Sequence, residues 1–227
     1  MKIESKEKSL SKKEVDAQKS FISGFKIKKR KTKRPIIIAM IGLVGSGKSS
    51  AAKKLAPLLG ATVVEADGVR IALRKKGLSY DPVRAIINKA TLSVIKQGGN
   101  VVIDSDLVDP EKRAHLEKEA IRAGIKIVYL RTFCNRDVAI GRLIIAKYFS
   151  QKFFGAASSP WKGQYRAVVV GLREMWRRTP HHYKWINKDG GKWILKKFKF
   201  PIFANIDTTT SDWKKNLNEY AKKLLKM

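Results

Sequence analysis

Eight residues, Gly42 to Ser49, follow the pattern G-x-x-x-x-G-K-[ST] between a predicted strand and a predicted helix. The preceding run, 36–41, is short, apolar and rich in β-branched residues, which is typical of a strand buried on both faces of a parallel sheet. A glycine-rich turn at this place directs backbone N–H groups and the positive end of a helix dipole at one anion. The motif therefore predicts an α/β fold that binds a polyphosphate.

The loop predicts a role for most of its own residues. We expect Lys48 to reach the terminal phosphates of ATP and Ser49 to ligate Mg²⁺. ATP is favoured over GTP because the sequence has no clear Asn/Thr-Lys-x-Asp motif for reading guanine. The expected nucleotide-binding residues of this segment are Gly42, Val44, Gly45, Ser46, Gly47, Lys48, Ser49 and Ser50.

The chain after Pro35 alternates apolar runs with helical patterns, which predicts a three-layer α/β/α fold with about five parallel strands. Glycines at 60, 98, 99 and 124 fall between a predicted helix and the next strand, where left-handed helix caps occur. Strands are predicted at 36–41, 61–65, 101–104, 125–130 and 202–206, and helices at 48–59, 67–76, 82–97, 110–123, 135–149, 164–178 and 211–226. We expect one domain, 35–227, with a helical lid insert at about 136–185.

Composition limits the cellular context. The 227 residues are 44% apolar, which suffices for one hydrophobic core. Cys134 is the single cysteine, so an intrachain disulfide is excluded, and no apolar run approaches the roughly 18 residues of a membrane span. The start of the chain also lacks the apolar segment of a signal peptide. We therefore expect a cytoplasmic protein with no membrane partner; composition leaves the oligomeric state open.

The charge is strongly basic, with 49 Lys and Arg against 19 Asp and Glu, a net charge of +30. This excess extends over the whole chain and predicts a polyanionic partner, RNA or DNA. A general basic background is the alternative interpretation. Residues 1–34 are interpreted as a mobile basic arm, in which seven of the nine residues 26–34 are basic. The arm either contacts nucleic acid or is a functionless extension.

Acidic residues follow two predicted strands at the edge where α/β sheets bind ligands. Asp67 and Arg70 are three residues apart, so a base and a cation would share one face of a helix. A helix cap with an incidental surface arginine is the alternative. Asp104 ends the next strand and is expected to hold Mg²⁺ with Ser49. Asp106 is expected to serve the loop or contact an acceptor.

Taken together, the Gly42 to Ser49 loop, the Asp67-x-x-Arg70 element and the strand ending at Asp104 resemble the small P-loop kinases. The pattern is most similar to 5′-hydroxyl polynucleotide kinases and zeta-toxin-like kinases, an AAA-type group, with adenylylsulfate and seryl-tRNA kinases nearby. The resemblance covers roughly residues 35–145. It implies that Asp67 is the general base, that Arg70 grips an acceptor phosphate, and that an arginine-bearing lid covers the transferring phosphoryl group.

The same resemblance implies that the turn at Asp207 and Thr208 packs near the adenine; an ordinary helix cap is the alternative. Arg142, with Arg136, is the candidate lid cation. Lys147 stands where the family commonly repeats arginine, and lysine does not reproduce a bidentate clamp. Arg177 or Arg178 is the expected substitute.

The stretch 149–200 interleaves aromatic and basic residues, as base stacking requires, although core packing is an equal alternative. The leading hypothesis is an ATP- and Mg²⁺-dependent kinase that phosphorylates a hydroxyl on a nucleic acid. The alternatives are a small-metabolite kinase and a nucleotide-dependent RNA- or ribosome-binding ATPase switch.

Overall fold

A five-stranded parallel sheet organises the domain, in the strand order β2-β3-β1-β4-β7. The computed structural model describes residues 9–146, 164–188 and 190–227. The strands are β1 Ile36–Ile41, β2 Ala61–Glu65, β3 Asn100–Asp104, β4 Lys126–Phe133, β5 Tyr183–Ile186, β6 Lys192–Leu195 and β7 Ala204–Asp207. The helices are α1 Lys12–Ser23, α2 Lys48–Leu59, α3 Ala66–Lys75, α4 Val83–Lys96, α5 Pro110–Arg122, α6 Arg136–Ile145, α7 Gln164–His182 and α8 Trp213–Leu225.

The central strand β1 is buried along its whole length and separates two apolar layers. Its side chains alternate between them, because successive residues of a strand point to opposite faces. Ile37 packs in a cluster with residues of α1, α3, α4 and α5. Ile38 packs in a second cluster with residues of α2 and α8. The predicted three-layer α/β/α fold with five parallel strands is confirmed, and the predicted strands of the sheet differ from the observed ones by three residues at most.

A short antiparallel hairpin, β5–β6, was not predicted. Its strands are only four residues each and only partly buried, so the sequence shows no clear alternation there. Arg131 of β4 attaches the hairpin to the sheet by donating hydrogen bonds to the carbonyls of Lys196 at 2.6 Å and His182 at 2.7 Å. Burial lowers the pKa of Arg131 to about 10, and the guanidinium lies 4.3 Å from the Phe198 ring centroid.

Residues 9–25, which belong to the expected mobile arm 1–34, pack on the domain. Helix α1 begins with a capping box in which Ser11 and Glu14 bond each other's backbone N–H groups. Ala17 is fully buried in the apolar cluster of α3 and α4. A Cβ on Gly68 would lie 3.0 Å from the ring of Phe21, so α1 packs directly on the helix that carries Asp67. Packing of hydrophobic side chains therefore holds residues 9–25 on the domain, although the segment is rich in charged residues.

The basic run 26–34 also lies on the domain. Arg30 donates to the Gly98 carbonyl at 2.8 Å, and Lys31 donates to the Pro57 carbonyl at 2.9 Å. The Pro57 carbonyl is in the last turn of α2 and the Gly98 carbonyl lies just beyond the end of α4, where unpaired carbonyls and the helix dipole attract cations. Thr32 completes the attachment with a hydrogen bond to Asn100 Oδ1 at 2.9 Å.

Within the described residues, no helix has the length and apolar character needed to cross a membrane. Part of the predicted lid and aromatic stretch, residues 147–163, lies outside the described residues, and so do the side chains of 164–167. Predictions about Lys147, Phe149, Phe153, Phe154, Trp161 and Tyr165 stay predictions for that reason.

Candidate functional site

The loop between β1 and α2 has the backbone of a phosphate-binding loop. Gly45 and Gly47 both have φ of +81°, a left-handed conformation that glycine adopts without strain. A Cβ on Gly45 would lie 2.9 Å from the Ala139 carbonyl of α6, and one on Gly47 would lie 3.1 Å from Thr208 Oγ1. The glycines are therefore required by conformation and by close packing on both sides.

Lys48 folds back over this loop. Its Nζ donates hydrogen bonds to the carbonyls of Gly42 at 2.6 Å and Leu43 at 3.0 Å. Burial lowers the pKa of Lys48, while the nearby carboxylates of Asp106, Asp104 and Asp67 oppose that shift. The lysine lies where it can exchange backbone carbonyls for phosphate oxygens.

The side chains of Asp104 and Ser49 lie together and share a hydrogen bond. Burial raises the pKa of Asp104, and a hydrogen bond from Ser49 and the charge of Lys48 act in the opposite direction. A hydroxyl and a carboxylate oxygen are the hard donors that Mg²⁺ takes from proteins beside phosphates. The residues present therefore fit a magnesium ion, although the described part of the chain holds no group of three or more metal-ligating side chains.

Asp67 and Arg70 form an ion pair of 2.7 Å at the start of α3. The Asp67 side chain is 49% exposed and the Arg70 side chain is 31% exposed. Asp67 is only partly buried, and this partial burial of its carboxylate raises its pKa, while Arg70 opposes the shift. Because β2 and β3 pair with Glu65 opposite Asp104, Asp67 reaches the same edge of the sheet as Asp104 and Lys48.

Arg142, the predicted lid cation, lies against the phosphate-binding loop. It donates to the Gly45 carbonyl at 3.2 Å and to Thr208 Oγ1 at 3.0 Å, with a further short bond to the Thr208 carbonyl. The Thr208 hydroxyl also lies 2.9 Å from the Ser46 carbonyl. The β7–α8 turn therefore supports the loop.

The other predicted nucleotide-binding residues lie in different environments: the core, an apolar cluster, the exposed surface and a turn. The Ser46 hydroxyl lies 2.8 Å from Thr132 Oγ1 and points into the core. Val44 packs on the apolar cluster between α6 and α7, and Ser50 is exposed in the first turn of α2. Asp207 accepts a hydrogen bond from the Thr209 N–H at 2.9 Å, which caps the turn.

Asp106 is the centre of a polar cluster whose partners the sequence did not reveal. Its Oδ1 lies 3.3 Å from the Gly42 nitrogen, and its Oδ2 lies 2.7 Å from Arg178 and 3.0 Å from His182 Nε2. Burial by itself would raise the pKa of Asp106, but the bonds from His182 and Arg178 and the charge of Lys48 hold it below its usual range. Burial lowers the pKa of His182.

Arg178 Nη1 also donates hydrogen bonds to both carboxylate oxygens of Asp109, to Oδ2 at 2.9 Å and to Oδ1 at 3.1 Å. Arg178 therefore positions α7 against the loop after β3. The residue beside it, Arg177, forms an exposed pair with Glu174. Arg136 lies 4.1 Å from the Trp176 ring centroid. Of the candidate lid cations, Arg142 alone contacts the phosphate-binding loop among the residues described.

A partly open cavity of about 700 Å³ lies beside Arg70 of α3 and is lined by the start of α1, by the start of α4 and by the loop after β3. We name it the α1–α4 cavity. Its polar lining includes Glu14, Arg70, Arg84, Asn88, Ser105 and Lys112. The contribution of α1 was missed because its signal, a capping box followed by Ala17, Phe21 and Phe25, lies among many lysines.

Residues 37–147 match the sequence model of a family described as an AAA domain. None of the curated proteins compared with the chain matches it. A putative kinase from Chloroflexus aurantiacus J-10-fl is 15% identical, with a TM-score of 0.56 over 86% of this chain and 100% of that chain. The chain has a P-loop NTPase-like α/β fold.

Chaetomium thermophilum Kti12, solved with ADP-AlF3, is 13% identical, with a TM-score of 0.53 over 84% of this chain and 100% of that chain. Mycobacterium tuberculosis APS kinase CysC, solved with AMPPNP and APS, is 20% identical, with a TM-score of 0.48 over 84% and 95%. At 13% identity, the likeness to Kti12 concerns the P-loop NTPase-like fold alone. The narrower resemblance to polynucleotide kinases stays a prediction.

Proposed function

We propose that this protein is a phosphotransferase that uses ATP and Mg²⁺ to phosphorylate a hydroxyl group. The observation that supports this most directly is the common position of Lys48, Asp67 and Asp104. They come from three elements, α2, α3 and β3, yet their charges influence one another's pKa at one edge of the sheet. A loop that only binds nucleotide has no need of Asp67.

In this proposal the glycine-rich loop and Lys48 bind the phosphates of ATP, and Arg142, Asp207 and Thr208 lie on the nucleotide side. Ser49 and Asp104 would hold Mg²⁺, which when bound supplies positive charge to the phosphate oxygens. Arg142 is the cation proposed for the transferring phosphoryl group. It would exchange the carbonyls of Gly45 and Thr208 for phosphate oxygens.

Asp67 is the proposed general base. Its carboxylate accepts the proton of the acceptor hydroxyl as that oxygen bonds to the γ-phosphorus and the bond from the γ-phosphorus to the β–γ bridging oxygen breaks, which releases ADP. A raised pKa makes the carboxylate a better proton acceptor. Arg70 orients Asp67 through their 2.7 Å ion pair and faces the α1–α4 cavity.

The proposal includes two classes of acceptor, a nucleic acid and a small metabolite. The net charge of +30 favours a hydroxyl at the end of a nucleic acid. The α1–α4 cavity beside Arg70 has a volume of about 700 Å³, which favours a small metabolite. If a single strand binds, log affinity should fall with log salt by about 0.7 for each phosphate contact. A flat salt response would exclude the nucleic acid.

The experiment is transfer of labelled γ-phosphate from ATP to a panel of 5′-hydroxyl DNA and RNA oligonucleotides, tRNA and pooled metabolites. Asp67→Asn is the test variant and Asp16→Asn, an exposed carboxylate on α1, is the matched control. We expect Asp67→Asn to lose transfer by at least about 100-fold while ATP affinity is nearly unchanged. No transfer by the unmodified protein, with slow ATP hydrolysis that Asp67→Asn does not change, would support the ATPase switch instead.

A further inference from the structure

We propose that the surface at the amino ends of the parallel strands binds the phosphate backbone of a double-stranded nucleic acid. The basic run 26–34 and the last turns of α4, α5 and α8 form this surface, which we name the amino-edge surface. It lies at the opposite end of the sheet from the phosphate-binding loop, so the inference goes beyond the proposed function. It assigns a partner to a second surface, whichever acceptor the first site uses.

The position of this surface follows from the topology of the sheet. All five strands are parallel, and the phosphate-binding loop, Asp67 and Asp104 lie at or beyond their carboxyl ends. Helices α4 and α5 end shortly before β3 and β4 begin, so their C-terminal ends lie at the amino ends of the strands. Helix α8 starts beyond the carboxyl end of β7 and packs beside α2, so it ends at the same edge.

The basic run is fixed across this edge by contacts with both helical layers. Arg30 donates to the Gly98 carbonyl at 2.8 Å, just beyond the end of α4. The backbone N–H of Lys31 donates to the Leu59 carbonyl at 3.1 Å, in the last turn of α2. The run therefore passes from one layer to the other in a held conformation. Cations that are already positioned reduce the ordering cost of binding a polyanion.

Cations predominate on the amino-edge surface. The basic run contains seven Lys or Arg residues and no acidic residue. The last four residues of α4, α5 and α8 add one carboxylate, Glu119, which pairs with Arg122 at 2.8 Å. The cations that these helix ends add are Lys96, Arg122, Lys222 and Lys223. A helix dipole favours cations at C-terminal ends, but it does not account for those of the basic run, which is not helical.

Most cations of the basic run have no intramolecular role. Five of them are exposed and form no ion pair with any other residue that the structure describes: Lys26, Lys28, Lys29, Lys33 and Arg34. Like charges held close together repel one another. Because the backbone of the run is fixed, this repulsion is relieved only by bound anions. A row of phosphates would supply them.

The chemistry of the run favours a duplex over a single strand. Single strands are held largely by stacking of bases on aromatic side chains, and residues 26–34 include no aromatic residue. Ile27 packs against the apolar cluster of α3 and α4 instead of facing solvent. Nine residues span at most about 30 Å, which approaches one helical turn of a duplex. Contacts of this kind bind the backbone without reading the sequence.

The test measures binding of short fluorescein-labelled RNA and DNA duplexes by fluorescence anisotropy. Their 5′ ends are phosphorylated and ATP is left out, so binding does not depend on phosphoryl transfer. We expect at least one duplex to bind with Kd below about 10 µM at low salt, and log affinity to fall with log salt by about 0.9 for each phosphate contact. Absence of binding by both duplexes would overturn the inference.

A triple variant, Lys28→Gln with Lys29→Gln and Lys33→Gln, removes three exposed cations from the basic run. We expect it to bind the duplex at least about tenfold more weakly and to lose about 0.9 of the salt slope for each lost contact. Its melting temperature and its phosphoryl transfer should be unchanged, because these side chains contact neither the core nor the phosphate-binding loop.

The matched control removes the same charge from the opposite end of the sheet. Arg131 attaches the β5–β6 hairpin near the carboxyl end of β4, and three exposed lysines lie in or beside that hairpin. The control variant combines Lys184→Gln, Lys188→Gln and Lys197→Gln. We expect it to lose less than about threefold in affinity, because salt screens charges that lie far from the bound phosphates.

Equal losses in the two triple variants would mean that the net charge of +30, and not the amino-edge surface, binds the duplex. That result would overturn the inference. Tighter binding of a single strand of the same length, or binding to vesicles of anionic phospholipid that the duplex does not compete away, would also overturn it. Duplex binding without phosphoryl transfer would contradict the proposed function alone.

Discussion

Arg178 Nη2 lies 2.7 Å from Asp106 Oδ2, a contact that joins residues 72 positions apart. Asp106 in turn accepts a hydrogen bond from the N–H of Gly42, the first glycine of the phosphate-binding loop. Helix α7, which lies within the predicted lid region, is therefore connected to the loop through one carboxylate.

Arg178→Met should destabilise the fold by about 3 kcal/mol, because it leaves Asp106 and Asp109 without their shared buried cation. Urea unfolding at neutral pH measures the change. Arg177→Met is the matched control, since its pair with Glu174 is exposed and should contribute no more than about 0.5 kcal/mol. Equal effects of the two variants would mean that Arg178 does not anchor α7.

At neutral pH, Asp106→Asn should be less stable than the unmodified protein. This difference in stability should disappear in acid. The folded-state pKa of Asp106 is lowered, so its carboxylate contributes stability above its unfolded pKa, and the contribution is lost as pH falls through the folded pKa. Melting curves should show a constant difference at neutral pH that shrinks below about pH 4. A difference that grows in acid would contradict the assigned direction.

Gly45→Ala should impair ATP binding and stability together. The new Cβ would lie 2.9 Å from the Ala139 carbonyl, at a φ of +81° that L residues rarely adopt. Gly77→Ala is the control: Gly77 has a φ of +66° but open space around it, so only the backbone cost of about 1 kcal/mol applies. Fluorescent nucleotide titration and thermal unfolding separate the two effects. Equal ATP affinity in both variants would rule out close packing of α6 on the loop.

Asn100→Ala should destabilise the protein by about 3 kcal/mol without changing the site chemistry. The fully buried amide accepts from Ile36 N at 3.0 Å and donates to the Leu59 carbonyl at 2.8 Å, so truncation leaves several buried groups unpaired. Thr62→Val is the control, because the Thr62 hydroxyl is buried and already has no partner in the described part of the protein. We expect that variant to be neutral or more stable. A small loss on Asn100→Ala would show that water replaces the amide.

The pH dependence of phosphoryl transfer should report Asp67. As a base it must be ionised, so kcat/KM should rise with pH through the folded pKa, which burial places above the usual carboxyl value. Arg70→Met removes the cation that opposes this shift and should move the acidic limb to higher pH. An unshifted limb in that variant would mean that another group titrates.

The sequence was informative wherever a local pattern has one physical meaning. The loop from Gly42 to Ser49 and the acids at Asp67 and Asp104 were found because glycine conformation and strand order determine their positions. Arg178 and His182 were not assigned to Asp106, because contacts over 70 residues leave no periodic signal. The role of α1 was missed since charge composition obscured a short apolar stripe at Ala17 and Phe21.

By itself, the sequence determined the phosphate-binding loop, the parallel sheet and the two acidic strand ends. These depend on backbone conformation and on side-chain alternation, which are local properties. Only the tertiary structure decided that residues 9–34 pack on the domain, that Arg142 lies on the loop, and that Arg70 lines a cavity together with the start of α1. Burial and pairing depend on which surfaces meet, and that is a property of the whole fold.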